Sequence, residues 1–466
     1  MKFQYVLLLW MQCAAFLSSG KAIAQSGFNY TPLKDDVIKI AGSKKIITGQ
    51  YLRDSLNTQG ENKKYILEIY RDRYKSINEL FDNKELIAAS EVDAYLTSIT
   101  NEIISKNPEL KTIAPHFFFS RSWVPNAYST GEGTIVFNIG LFTKLKNESQ
   151  VAFVISHELA HLFLQHSNKK IEKHISMFYS DEFQKTLKKL QKKEFDRKAE
   201  LDKLEMGMAF KSFRHSRDSE SEADSTGLYF LQHTNYDCGE ALTALALLDD
   251  IDAESIDINS SLKKLFTTAE FPFKDRWLQQ EEVFFGGLEK KEKPIDDSLK
   301  THPDCQVRIK KLTPVIEKIA QENTRKFLQP EQQFAEVQMR FQFEIINYCI
   351  AQKKVSRAMF YAVQLLEKYP ENSYLVGTAG ECFNEMYIKQ KEHLLNTIAE
   401  LPSPYREKKY NTILEFISRL SLKDINSLGY YFLKQYTGKF NNDENFKKIY
   451  EKSNQYFKNN QQATQL

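Results

Sequence analysis

Between Val151 and His166 the chain reads VAFVISHELAHLFLQH, and nothing in it breaks a helix. The stretch has no Pro or Gly and enters its polar centre through an apolar run, so a buried helix is expected. Two histidines four apart lie about one turn from each other on one face. That spacing lets His157 and His161 reach one metal ion, with Glu158 beside the first placed to take a proton from a water at that metal. The same pentad also arises by chance. A third ligand has to be found elsewhere.

One known extension requires Gly at 164 and His at 167, but the chain has Leu164 and Ser167 there. His166 lies five residues past His161, about 140° round a continuous helix, and is expected to face elsewhere. Further on, residues 216–224 read SRDSESEAD and lead into STGLYFL. If this is a helix, Glu220 and Asp224 share a face. Glu220 can then complete a His₂Glu zinc site, and Asp224 can hold a ligand histidine by its second ring nitrogen. Alone, ESEAD would be an ordinary solvated helix face. It gains meaning only from HELAH upstream.

HELAH followed by E-x-x-A-D resembles the zinc endopeptidase family that holds the HtpX heat-shock proteases, the CAAX prenyl proteases and the periplasmic BepA-like proteases. Residues 126–141, NAYSTGEGTIVFNIGL, are similar to the family's segment upstream of the zinc helix. Residues 301–309, THPDCQVRI, are similar to its downstream His-Pro…Arg-Ile segment. The resemblance spans Glu85 to Leu312, with four motifs in order. It implies an α+β fold: a mainly helical, zincin-like (gluzincin) domain with a small β-sheet. It also implies Zn²⁺ on His157, His161 and Glu220, with Glu158 as general base. Asn126 and His302 are the candidates for stabilising the tetrahedral oxyanion. His302 has a second reading, as a fourth zinc ligand that leaves before substrate enters. Arg217, at the start of the ESEAD stretch, is a candidate supporting charge.

The chain has 466 residues, enough for two or three domains, and a formal charge of +3, which gives no reason to expect nucleic acid. Residues 1–24 combine a basic start, a short apolar stretch and Ala22-Ile23-Ala24, the pattern of a secretory signal peptide. No later apolar run approaches the length of a membrane span. HtpX-like and CAAX-type proteases are embedded in membranes, so the chain sides with the exported branch, in the periplasm or secreted. Cys238, Cys305, Cys349 and Cys382 follow the signal. Cys238 can pair with Cys305 and Cys349 with Cys382, or all four can be free.

Residues 25–49 read as a linker and 50–325 as the metallopeptidase domain. Within that domain a helical stretch from Tyr51 to Lys106 gives way to short strands at 115–122 and 134–138, joined by a hairpin-like edge at 126–133. That edge is either where substrate backbone lies or part of a sheet roofing the helices. The insertion 167–215 reads as two amphipathic helices broken near Ser180, which can cap the second. They form either a lid or docking arm, or a packed hairpin. The aromatic segment 249–298 is either a plug over the site or a satellite core. Residues 326–466 are helical, with a degenerate tetratricopeptide-like pattern at Ala358, Pro370, Gly380 and Phe383.

The expected function is zinc-dependent endoproteolysis of misfolded or misassembled envelope proteins, with the tail binding a protein partner. The alternative is a binding or chaperone scaffold with a largely silent zinc site. Glu158 argues against it, since a structural site needs no base.

Overall fold

The computed structural model describes residues 28–191, 217–249, 257–279, 305–319, 324–403 and 406–464. These fall into two compact units, one from 33–253 and 296–342, the other from 1–32, 254–295 and 343–466. The fold is α+β: mostly helical, with one small four-stranded sheet in the first unit and an all-helical second unit. Among the described residues no helix is long and apolar enough to cross a membrane. The signal-peptide segment lies outside them.

The first unit opens where a linker was expected. Asp36 accepts from the backbone N–H groups of Ile38 and Lys39 and starts the helix Val37–Asn57. A carboxylate at this position satisfies orphan donors and meets the positive helix end, a local signal that weak periodicity hides. The helix Lys63–Asp82 follows, burying Ile66, Tyr70, Ile77 and Phe81 at helical spacing. Then Ser90–Lys106 buries Val92, Tyr95, Leu96, Ile99 and Ile103.

The strands β1 (Leu86–Ile87), β2 (His116–Ser120), β3 (Ala127–Ser129) and β4 (Thr134–Asn138) pair in the order β1-β2-β4-β3. All five residues of β4 are buried, as suits a strand covered on both faces. It runs parallel to β2, with Phe118 opposite Val136, and antiparallel to β3, with Tyr128 opposite the same valine. The β3–β4 turn carries Gly131 and Gly133 at φ 90° and 120°, a region other residues rarely enter. Thus β3 forms one edge of the sheet, and it packs against the HELAH helix.

That helix, Glu148–Phe163, is buried from Glu148 through Ala160 and forms the axis of the unit. Asn147 caps it by accepting from Gln150 N–H. Glu148, buried in the first turn, accepts from Tyr95 Oη and from the Leu328 and Gln329 backbone. Glu240 anchors the same end: it accepts from Asn147 Nδ2 at 2.9 Å, Gln150 Nε2 at 3.0 Å and Thr243, and meets Lys326 Nζ at 2.6 Å. Burial alone would raise its pKa, but these donors, Lys326 foremost, hold it near 2.

After the HELAH helix the chain turns at Gln165, whose φ of 55° and ψ of 35° are left-handed, and restarts as His166–Phe178. Ser180 ends that helix and caps the next, Asp181–Gln191, accepting from Phe183 N–H. The first amphipathic helix expected in the insertion is present, and the second begins after Ser180 and is described as far as Gln191; the rest of the insertion, residues 192–216, lies outside the described ones.

In the second unit Phe266 packs edge-on against Phe383 and Phe432, at ring separations of 5.1 and 5.0 Å, and parallel to Phe416. Trp277, fully buried, meets Phe273 and Phe416. The described aromatics of 249–298 thus form core within the helical unit, not in the peptidase region where they were expected; Phe284 and Phe285 lie outside the described residues. The division between units falls at 342/343, inside the helix Glu331–Ala351. The reason is Phe334 and Phe341, which pack on Phe142 of the first unit. Close approach holds the helices Ser373–Lys391 and Leu422–Lys434 together: a Cβ on Gly380 would stand 2.5 Å from Leu433, and one on Gly429 2.7 Å from Phe383. The four cysteines among the described residues, Cys238, Cys305, Cys349 and Cys382, are buried free thiols, so neither candidate disulfide is formed.

Candidate metal centre

His157 and His161 occupy successive turns of the HELAH helix, with Nε2 atoms 3.1 Å apart and rings crossed edge to face. A second helix, 217–232, crosses them and carries Glu220 and Asp224 one turn apart. Glu220 lies 3.5 Å from His157 Nε2 through Oε2 and 3.3 Å from His161 Nε2 through Oε1. The three ligand atoms all fall within 4.8 Å of one another, and His157 and Glu220 are buried. Two imidazole nitrogens and a carboxylate facing one point are the donor set of a catalytic zinc site. Glu158 follows His157 on the same helix and is also buried.

The two helices meet this closely because residue 227 is glycine. A Cβ there would stand 2.9 Å from both His157 N and Cα. Any side chain would push the 217–232 helix away from the backbone that carries the first histidine.

The second nitrogen of each histidine is also engaged. His157 Nδ1 lies 3.0 Å from Asp224 Oδ1. Arg308 holds that carboxylate with a two-pronged grip and places Nη1 3.7 Å from Glu220 Oε2. Burial raises the Asp224 pKa and these partners outweigh it, Arg308 foremost, bringing it to about 2. Burial likewise pushes His157 down, yet Asp224 and Glu220 lift it to about 9. A proton therefore occupies the site readily when no metal does, and a cation that takes its place must displace it. On the other side His161 Nδ1 lies 2.9 Å from His166 Nδ1, and His166 Nε2 lies 3.1 Å from Glu222 Oε2. Burial and the neighbouring His161 lower the His166 pKa.

The structure thus brings His157, His161, Glu220 and Asp224 together. The other expected residues stand differently. Arg217 is exposed at the start of its helix, and the cation that meets the carboxylates is Arg308. Asn126 is half-buried just before β3; its backbone N–H donates to Val124 and its carbonyl accepts from Asn138. His302 lies outside the described residues. His166 does not face elsewhere, because the helix breaks at Gln165 and the 140° argument assumed it continued. Arg308 was visible only as a member of the THPDCQVRI stretch, and Gly227 only as the glycine after ESEADST.

The model of Peptidase family M48 matches residues 90–316, which contain every group of this centre. A curated relative from Vibrio cholerae serotype O1, described as a beta-barrel assembly-enhancing protease, is 28% identical over 104 residues. The match covers 22% of this chain and 21% of that protein, so the two correspond over about a fifth of the relative's length.

Proposed function

Residues 90–316 form a Peptidase family M48 domain, and from that we propose that this metallopeptidase is a zinc-dependent endopeptidase acting on envelope proteins. The observation that carries the reading is the meeting of His157, His161 and Glu220 at one point, with Glu158 beside them. The residues suit zinc: three N/O donors, with each histidine's far nitrogen already engaged by another side chain. When bound, zinc supplies a Lewis acid that acidifies a water and polarises the peptide carbonyl.

The protein's own groups do the rest. Glu158 accepts the proton of the attacking water as the C–O bond forms, then hands it to the departing amine as the C–N bond breaks. Asn126 and His302 are proposed to stabilise the developing oxyanion; His302 as a departing fourth zinc ligand is the other reading of that residue. The edge strand β3 is proposed to pair with extended substrate backbone, which would make recognition largely independent of sequence. Residues 50–325 would act as the peptidase and 326–466 as a tetratricopeptide-like partner-binding region. Export to the periplasm or medium is supported by the pattern of residues 1–24. The envelope as the place of action draws support from the Vibrio relative's description as a beta-barrel assembly-enhancing protease.

The deciding experiment compares the parent with Glu158→Gln. Both should bind one zinc, and only the parent should cleave casein. Equal cleavage by the two would end the reading. A parent that binds zinc and cleaves nothing would favour the scaffold alternative.

A further inference from the structure

Resting on the proposed zinc site, we infer that His166 and Glu222 form a positioning relay that fixes the His161 ring for metal binding. The contact between two Nδ1 atoms at 2.9 Å needs one donor and one acceptor. If His161 gives its Nε2 lone pair to the metal, its proton sits on Nδ1 and donates to His166. His166 then accepts at Nδ1 and carries its own proton on Nε2, which faces Glu222 Oε2 at 3.1 Å. One assignment satisfies every member, with no group left over. Hydrogen bonds of this kind fix a ligand's tautomer and orientation and raise its basicity.

Two features make the arrangement specific. The left-handed residue Gln165 turns the chain so that His166, one residue into a new helix, folds back on the ring it follows. Glu222 comes from the ESEAD helix, between Glu220 and Asp224, so the relay ties the same two helices that the ligands join. The two ligand histidines are braced unequally. His157 leans on a buried carboxylate held by Arg308; His161 leans on a histidine whose own partner, Glu222, has a 66% exposed side chain.

The test measures zinc affinity of the full chain by chelator competition, together with the visible spectrum of the cobalt(II)-loaded protein. The variants are His166→Gln, His166→Phe and Glu222→Ala. Gln can accept from His161 and donate to Glu222, whereas Phe fills the space and does neither. His166→Phe should lose about 10- to 100-fold in zinc affinity and alter the cobalt spectrum, with His166→Gln recovering most of both. Glu222→Ala, where the side chain is 66% exposed, should lose less in the same direction. Parent-like zinc binding and spectrum in His166→Phe would overturn the relay, as would equal losses in Phe and Gln, which would make the role one of packing. A parent that binds no zinc would overturn the site itself; a parent that binds it alongside an unaffected His166→Phe overturns the relay alone.

Discussion

Arg308 grips Asp224 through two roughly parallel bonds, Nε to Oδ2 at 2.8 Å and Nη2 to Oδ1 at 2.6 Å. Both side chains are buried, and the carboxylate so held is the one that meets His157 Nδ1. Planar, two-point recognition fixes orientation as well as charge, which a lysine cannot reproduce. The position of the first histidine is therefore set from a helix, Cys305–Ile316, that contributes no ligand.

Removing that grip should be costly. Arg308→Ala leaves a buried carboxylate beside Glu220 without its cation, a loss of about 3–5 kcal/mol in stability. Arg308→Lys should recover part of the stability and little of the zinc affinity. Chemical denaturation of the metal-free protein and chelator competition would measure the two separately.

Gly227→Ala should destabilise, against the usual gain of about 1 kcal/mol when alanine replaces a helical glycine. The added carbon has nowhere to go at 2.9 Å from the His157 backbone. Overpacking costs about 1–3 kcal/mol, and separation of the helices should weaken zinc binding as well. A raised melting temperature in this variant would contradict the geometry.

Metal uptake should release a proton. With His157 at about 9 in the metal-free protein, zinc at neutral pH must displace the proton, so affinity should rise with pH until about 9. Calorimetry in two buffers of different ionisation enthalpy would count it. The stability of the metal-free fold should follow the converse course: the contribution of protonated His157 is expected in full below about 6.5 and should be lost as pH rises through about 9. At the acid end Asp224 contributes above 3.8 and fades as pH falls through about 2.

The thiols should be silent. Cys238, Cys305, Cys349 and Cys382 are buried and free, and burial pushes Cys238 and Cys349 up to about 12. Ellman's reagent should find these four only after unfolding, and a reductant should leave the melting temperature unchanged. Prompt reaction in the native state, or a melting point that drops with reductant, would contradict this.

Glu240→Ala should cost about 1–3 kcal/mol, because Asn147 Nδ2 and Gln150 Nε2 would lose a buried acceptor. The loss should come mainly from the amides rather than from Lys326, whose side chain is 58% exposed. A double-mutant cycle with Lys326→Ala would apportion it.

What was legible in the sequence follows the range of each signal. HELAH and ESEAD are local patterns, each confined to one helix, and the side chains they name do meet. Arg308 escaped a role because its partners lie 84 and 88 positions away in the chain, beyond any periodicity. His166 was misjudged because a single left-handed residue is silent in the sequence when it is glutamine rather than glycine. β1 has two residues, too few to carry an alternation. The helix at Val37–Asn57 was hidden by its own exposure: Val37, Ile38, Leu52 and Leu56 all face outward, which blurs the amphipathic stripe.

The turn at Gln165 also sets what this region can tolerate over generations. An added or lost residue between 161 and 166 would swing the later imidazole off its neighbour while leaving HELAH intact. A search keyed to that pentad would still find such a chain. Yet its second histidine would be loosely seated, and indels here should be purged even where substitutions on the exposed helix faces accumulate.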